Sequence, residues 1–218
     1  MIACRRCPRL NAWRERVARV PPRRFRREKY WARPLPAFGD PRARLMIVGL
    51  APAAHGGNRT GRLFTGDASG DFLFRALHAV GLASLPFSLH VRDGQRLRQA
   101  LLTAACRCAP PGNRPTPAEF GRCREYLERE IELVAGPRVV VALGAMAFEQ
   151  CLQALRRAGP IPRPKPSFGH GARVRLGPYV LYGCYHPSQQ NTFTRKLTQP
   201  MLRQVLRRAL REAKSLDA

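Results

Sequence analysis

Acidic residues are scarce in this chain. Asp and Glu number 14 against 39 Lys and Arg, a formal charge of +25 over 218 residues. Lysine is scarce too: only Lys29, Lys165, Lys196 and Lys214 occur, so arginine carries nearly all of the surplus. Arginine bias alone would not explain the missing acids. A surplus of this size implies a polyanionic partner, with nucleic acid the default. No apolar run approaches the roughly 18 residues of a membrane span, and the basic stretches are not clean amphipathic helices that would favour a membrane surface. The opening MIACRRCPRL has neither an apolar h-region nor an A-x-A site, so the expectation is a soluble protein of the cytoplasm. Neither G-x-x-x-x-G-K-[ST] nor G-x-G-x-x-G is present, so no nucleotide cofactor is expected. Seven cysteines, an odd number, argue against a disulfide framework and for reduced thiols or a metal site. With 44% hydrophobic residues, the chain is too apolar for a disordered polyelectrolyte and long enough for one core.

What is present suggests one domain over 1–218. Residues 1–44 carry 14 Lys or Arg and three acids, too few apolar side chains for a core, and read as an irregular basic extension lying on a 45–218 core. LMIVGL (45–50) has the continuous apolar character of a buried parallel strand. The Gly-rich stretch APAAHGGNRTGRLFTGDASG follows, and DFLFRALHAVGL (71–82) has helical apolar spacing. A second strand is expected near 99–105. Thr116-Pro117-Ala118-Glu119 is a capping box with Pro at the first helical position, opening a helix to about Val134. RVVVALG (138–144) is the clearest strand, and 145–158 the next helix. Two extended runs flank Gly177-Pro178 and end at His186, and Thr198 caps a last helix. This alternation predicts an α/β fold with a central, mostly parallel, four-stranded sheet covered by helices on both faces.

In such sheets, ligands bind beyond the carboxyl ends of the strands. The loop after Leu50, the CAPPGNR loop and His186 all fall at such ends, and they are expected to converge. Phe64 is suited either to stacking on a base or to anchoring the core. Asp67 is the only acid between Asp40 and Asp71; it reads either as a helix N-terminal acid matching the dipole or as a carboxylate that orients water or stabilises a cation. His186, entering the polar PSQQNT loop, could donate to an oxygen that becomes negative. His55 and His170 lie in Gly-rich loops. Cys4-x-x-Cys7 is a chelating pair, and Cys108 and Cys123 lie 15 apart. The second C-x-x-C of a zinc knuckle is missing, which favours an iron–sulfur cubane over zinc. Cys106 is a rival to Cys108, whereas Cys151 and Cys184 read as buried thiols.

GLAPAAHGGNRTGRLFTGD (49–67) and HPSQQNTFTRKLT (186–198) resemble the signature segments of family 5, or type B, uracil-DNA glycosylases. CAPPGNRPTP (108–117), FGHG (168–171) and YWARPLPAFGD (30–40) agree, so the resemblance runs from Cys4 to about Leu210. It implies a three-layer α/β/α sandwich and a monofunctional DNA glycosylase acting in base excision repair. The expected substrates are uracil, hypoxanthine, ethenocytosine and hydroxymethyluracil. It also implies a structural [4Fe–4S] cluster on Cys4, Cys7, Cys108 and Cys123, with Cys106 not a ligand. The candidate catalytic residues are Asp67, His186 and Asn113. Phe64, Ala53, Ala54, His55 and Asn191 are the candidate base-binding residues; Ala53 and Ala54 stand where other families keep an acid or Asn, which argues against family 4. Ser188, Gln190 and Arg59 are the candidate phosphate or groove contacts, and the 187–194 loop offers polar residues where some glycosylases use a Leu wedge. Lys196 is expected outside the pocket, in keeping with hydrolysis that forms no covalent enzyme intermediate. The expected partner is double-stranded DNA carrying a damaged or mismatched base, and also single-stranded DNA, bound by a monomer held at the nucleoid through DNA. The competing readings are a non-catalytic iron–sulfur nucleic-acid-binding protein on the same scaffold and a redox protein.

Overall fold

The computed structural model describes residues 1–134 and 138–216. Pro8 opens helix α1 (Pro8–Arg19), where its missing N–H costs nothing. Strand β1 (Phe38–Gly39) and strand β2 (Leu45–Gly49) follow, then the short helix α2 (Gly57–Thr60) and helix α3 (Ala68–Ala79). Strand β3 (Ala100–Ala104) leads to helix α4 (Pro117–Leu133), strand β4 (Val139–Leu143) and helix α5 (Ala145–Leu155). Strands β5 (Arg173–Leu176) and β6 (Tyr179–Cys184) form a hairpin turning at Gly177, whose φ of 55° suits glycine. Helix α6 (Gln189–Phe193) and helix α7 (Gln199–Ser215) close the chain.

The sheet order is β1-β3-β2-β4-β6-β5. Its centre, β3-β2-β4-β6, is the expected set of four parallel strands. The sheet is nevertheless six-stranded, because β1 and β5 each add an antiparallel edge. β5 is the first arm of the hairpin. β1 comes from the segment expected to be irregular, where Phe38 and Gly39 pair with Leu102 and Leu101. The same segment contains α1. It lacks a core of its own, and it is ordered by docking: Arg9 grips the Glu119 carboxylate with two bonds of 2.8 and 2.7 Å, and Leu35 donates its N–H to the Arg107 carbonyl.

Alternation along the strands assigns the two helical layers. Leu45, Ile47, Val139 and Val141 pack with Leu73, Phe74 and Leu77 of α3 and Leu202, Val205 and Leu206 of α7. Met46, Val48, Val140 and Ala142 pack with Leu127 and Ile131 of α4 and Phe148 and Leu152 of α5. Burial on both faces is why the central strands read as unbroken apolar runs. The predicted caps are formed. Thr116 accepts from the Glu119 N–H while the Glu119 carboxylate accepts from the Thr116 N–H, and Thr198 accepts from Met201.

Candidate active site

A cavity of about 530 Å³ opens beyond the carboxyl ends of the four parallel strands. Its first wall comes from the loop after β2: Leu50, Ala51, Ala53, Phe64 and Asp67. Asn113 reaches in from the loop after β3, held on a 3-10 turn at a left-handed φ of 56°. The β4 end contributes Gly144, Ala145 and Met146; the segment after β6 contributes Tyr185, His186 and Ser188. The three loops singled out in the sequence therefore meet at one place.

Phe64 anchors the core, as one of its two readings had it, and also borders the cavity. It is 9% exposed and packs in the core of the α3/α7 face. Its φ of 50° is left-handed, a conformation costly for an aromatic residue and held by close neighbours. A Cβ at Gly49 would stand 2.6 Å from the Phe64 ring, and one at Gly70 would stand 2.0 Å from its carbonyl oxygen. The two glycines make room for that wall. The His186 ring lies 5.9 Å from the Phe64 ring, centre to centre. Burial pushes the His186 pKa down to about 4, so the ring is neutral at physiological pH and presents an N–H rather than a cation. Asp67 is the N-cap of α3 and accepts the Gly70 N–H at 2.9 Å, which is its expected dipole role. Its burial raises the carboxyl pKa above the ordinary value, opposed by that hydrogen bond. An apolar wall, a neutral imidazole donor and a desolvated carboxylate thus face one volume. Together they can hold a planar ring, stabilise an anion forming on it, and support a cation or orient a water beside it.

The remaining predicted residues divide. Ser188 lines the cavity as the N-cap of α6 and makes no side-chain capping bond. Gln190 and Asn191 line it as well, with the Asn191 amide donating to the His186 carbonyl at 2.8 Å. Ala54, His55 and Arg59 are not on its wall. His55 Nδ1 lies 2.9 Å from the Tyr30 hydroxyl, and His170 stands behind Tyr185, accepting its backbone N–H at 3.3 Å. Arg59 points inward, not towards a groove: its side chain is 11% exposed and bonded to His55, Gly66 and Glu28. Lys196, expected outside the pocket, lines it and sits 5.1 Å above the Tyr185 ring. The chain doubles back here, with Arg195 at a φ of 58° and the Leu197 N–H bonded to the Asn191 carbonyl. The loop is not wholly polar either, because Phe193 stands 78% exposed at the end of α6. Tyr185, Phe168 and Met146 were missed. The strand-end rule, applied to β4 as it was to the other strands, would have found Met146.

At the other edge of the loop after β3, Cys4, Cys7, Cys106, Cys108 and Cys123 line one small hollow. Buried Arg14 donates to the Cys108 sulfur at 3.0 Å, and the Arg107 N–H donates to the Cys123 sulfur at 3.3 Å. Such N–H···S bonds favour a thiolate or metal-bound form. Among the described residues, no three His, Cys, Asp or Glu side chains surround a point that could hold a single metal ion. Several thiols around one hollow, two of them accepting N–H···S bonds, are the donor chemistry that an iron–sulfur cluster takes. Among the described residues, no helix is long and apolar enough to cross a membrane.

Residues 36–210 match the family model described as the uracil DNA glycosylase superfamily. The chain belongs to that superfamily. It is 54% identical over 208 residues to the type-5 uracil-DNA glycosylase of Mycobacterium tuberculosis, covering 94% of this chain and 76% of that protein. Identity to the type-5 uracil-DNA glycosylase of Thermus thermophilus is 51% over 216 residues, covering 98% and 95%. For the type-5 uracil-DNA glycosylase of Pyrobaculum aerophilum, it is 46% over 213 residues, covering 98% and 90%.

Proposed function

We propose that this chain is a monofunctional uracil-DNA glycosylase of type 5. On this reading, it flips a uracil out of DNA and hydrolyses its N-glycosidic bond, leaving an abasic site for base excision repair. The observation that carries it is one cavity uniting Phe64, Asp67, Asn113 and His186, on a chain so similar to three proteins of that name.

The target carbon, C1′ of the deoxyribose, is shielded within a duplex, so the nucleotide must leave the stack. Phosphate contacts made by the basic surface offset the few kcal/mol this costs. The extruded base stacks on Phe64. As the C1′–N bond breaks, its electron pair goes to the base and positive charge develops on the sugar. The neutral imidazole of His186 and the Asn113 amide donate to the base as it becomes an anion. Asp67 supports the sugar cation and orients the water whose oxygen adds to C1′; the water's proton leaves through Asp67 or solvent. These contacts strengthen as charge separates, which is what lowers the barrier. Ser188 holds a phosphate. Phe193 is better suited than Gln190 or Asn191 to fill the vacated space, since apolar side chains wedge between bases and the Asn191 amide is engaged with His186.

The cavity volume and the apolar Ala53 wall leave room for bicyclic bases, so hypoxanthine and ethenocytosine are included with hydroxymethyluracil. Cys4, Cys7, Cys108 and Cys123 hold a [4Fe–4S] cluster, which pins the basic N-terminal extension to the core. The reading is tested by single-turnover base release from duplexes carrying one U·G pair, hypoxanthine or ethenocytosine. Release leaving an alkali-labile abasic site is expected, with no strand cleavage and no adduct trapped by borohydride. A trapped adduct would make Lys196 a nucleophile. Binding without release would leave a non-catalytic scaffold.

A further inference from the structure

Arg59 is on no wall of the cavity, yet it touches both segments that meet around Asp67. Its Nε donates to the His55 carbonyl at 2.7 Å and its Nη2 to the Gly66 carbonyl at 3.0 Å. The residues that follow those carbonyls, Gly56 and Asp67, face each other. A Cβ at Gly56 would come within 2.0 Å of the Asp67 Oδ2. The third arm, Nη1, pairs with the Glu28 carboxylate, and the guanidinium lies 4.1 Å from the Phe25 ring centre. The fork is thus anchored outside the loops it joins, and Gly66 at a φ of 75° leaves space for it: a Cβ there would stand 2.4 Å from Nη2.

We infer that Arg59 is a positioning residue for the glycosylase reaction: it staples the 55–56 and 66–67 backbones together and so aims the Asp67 carboxylate into the cavity. Two fixed N–H directions are needed to hold two carbonyls, which a planar guanidinium supplies and an ammonium does not. The N-terminal extension thereby takes part in the geometry of the site through Glu28 and Phe25, without reaching substrate. This rests on the proposed role of Asp67.

A double-mutant cycle tests it, read as single-turnover uracil release from a U·G duplex and, in parallel, as equilibrium binding of the same duplex. Arg59→Lys is expected to slow release by about ten- to a hundredfold, as a misplacement near 1 Å does, with duplex affinity within about twofold of wild type. In an Asp67→Asn background, the same change is expected to cost no further rate. Glu28→Gln alters a side chain that is 45% exposed, so it folds; it should slow release by a smaller factor, again only while Asp67 is present. An equal loss in rate and affinity for Arg59→Lys would make Arg59 a DNA contact and overturn the inference. So would an undiminished loss in the Asp67→Asn background, or wild-type rates for both Arg59→Lys and Glu28→Gln. Asp67→Asn releasing uracil as fast as wild type would instead remove the reading of Asp67 itself, and this inference with it.

Discussion

At the scale of single residues, burial favours the neutral form of two ionisable groups at the cavity and so shifts their pKa values in opposite directions. It holds His186 neutral and makes the Asp67 carboxylate harder to ionise. The depressed His186 pKa means that its neutral form persists at every pH above about 4, so excision should not fall as pH rises through 6.5. The raised Asp67 pKa places the acid-side loss of rate above the ordinary carboxylate value of 3.8. A single-turnover pH profile checks both. A loss between pH 6 and 8 that vanishes on mutating His186 would show that an imidazolium is needed. His186→Ala should slow release by about tenfold or more, as removal of a transition-state donor does, with duplex affinity nearly unchanged. Matching losses in rate and affinity would move His186 from the transition state to ground-state binding.

Elements place these groups, and two of them invite direct tests. α6 carries Phe193 on a loop that the sequence presented as polar. Flipping a paired base costs more than flipping a mismatched one. Phe193→Ser should therefore reduce excision at U·A more than at U·G, measured in matched duplexes. Equal effects on the two would show that the ring does not fill the vacated space. The cysteine hollow joins α1, the loop after β3 and α4. Cys108→Ser should lose iron and the visible absorption of a cluster, while Cys106→Ser should keep both. The reverse result would exchange their roles. Two element-level surprises, the α1 helix and the β1 edge strand, come from residues whose order depends on docking, such as Arg9 against Glu119 and Phe38 beside Leu102.

Over the whole molecule, the +25 charge is the dominant feature. A protein neutralising six or more phosphates loses roughly a thousandfold in affinity between about 50 and 200 mM salt. Duplex binding measured across that range should show a slope of this order. A flat response would mean that the arginine surplus is not directed at phosphate. The surplus is not all at the surface, however. Arg14, Arg62 and Arg107 are buried, and Arg62 pairs with Asp93 while Arg107 pairs with Glu130. Those two pairs already cancel within the net charge, so of the three only Arg14 subtracts from the cations free to meet DNA.

Local chemistry alone was enough for much of this architecture. Continuous apolar runs mark strands buried on both faces, Thr116 and Thr198 mark helix starts, and Gly177 marks a tight turn, because each of these needs only its immediate neighbours. The strand-end loops located the cavity because a parallel sheet gathers such loops at one edge. Tertiary packing decided the rest. It paired Phe38 and Gly39 with β3, turned Arg59 inward onto two carbonyls, folded Lys196 back over Tyr185, and desolvated His186 and Asp67. Those outcomes depend on groups far apart in the chain coming within a few ångströms, and on water being excluded where they meet.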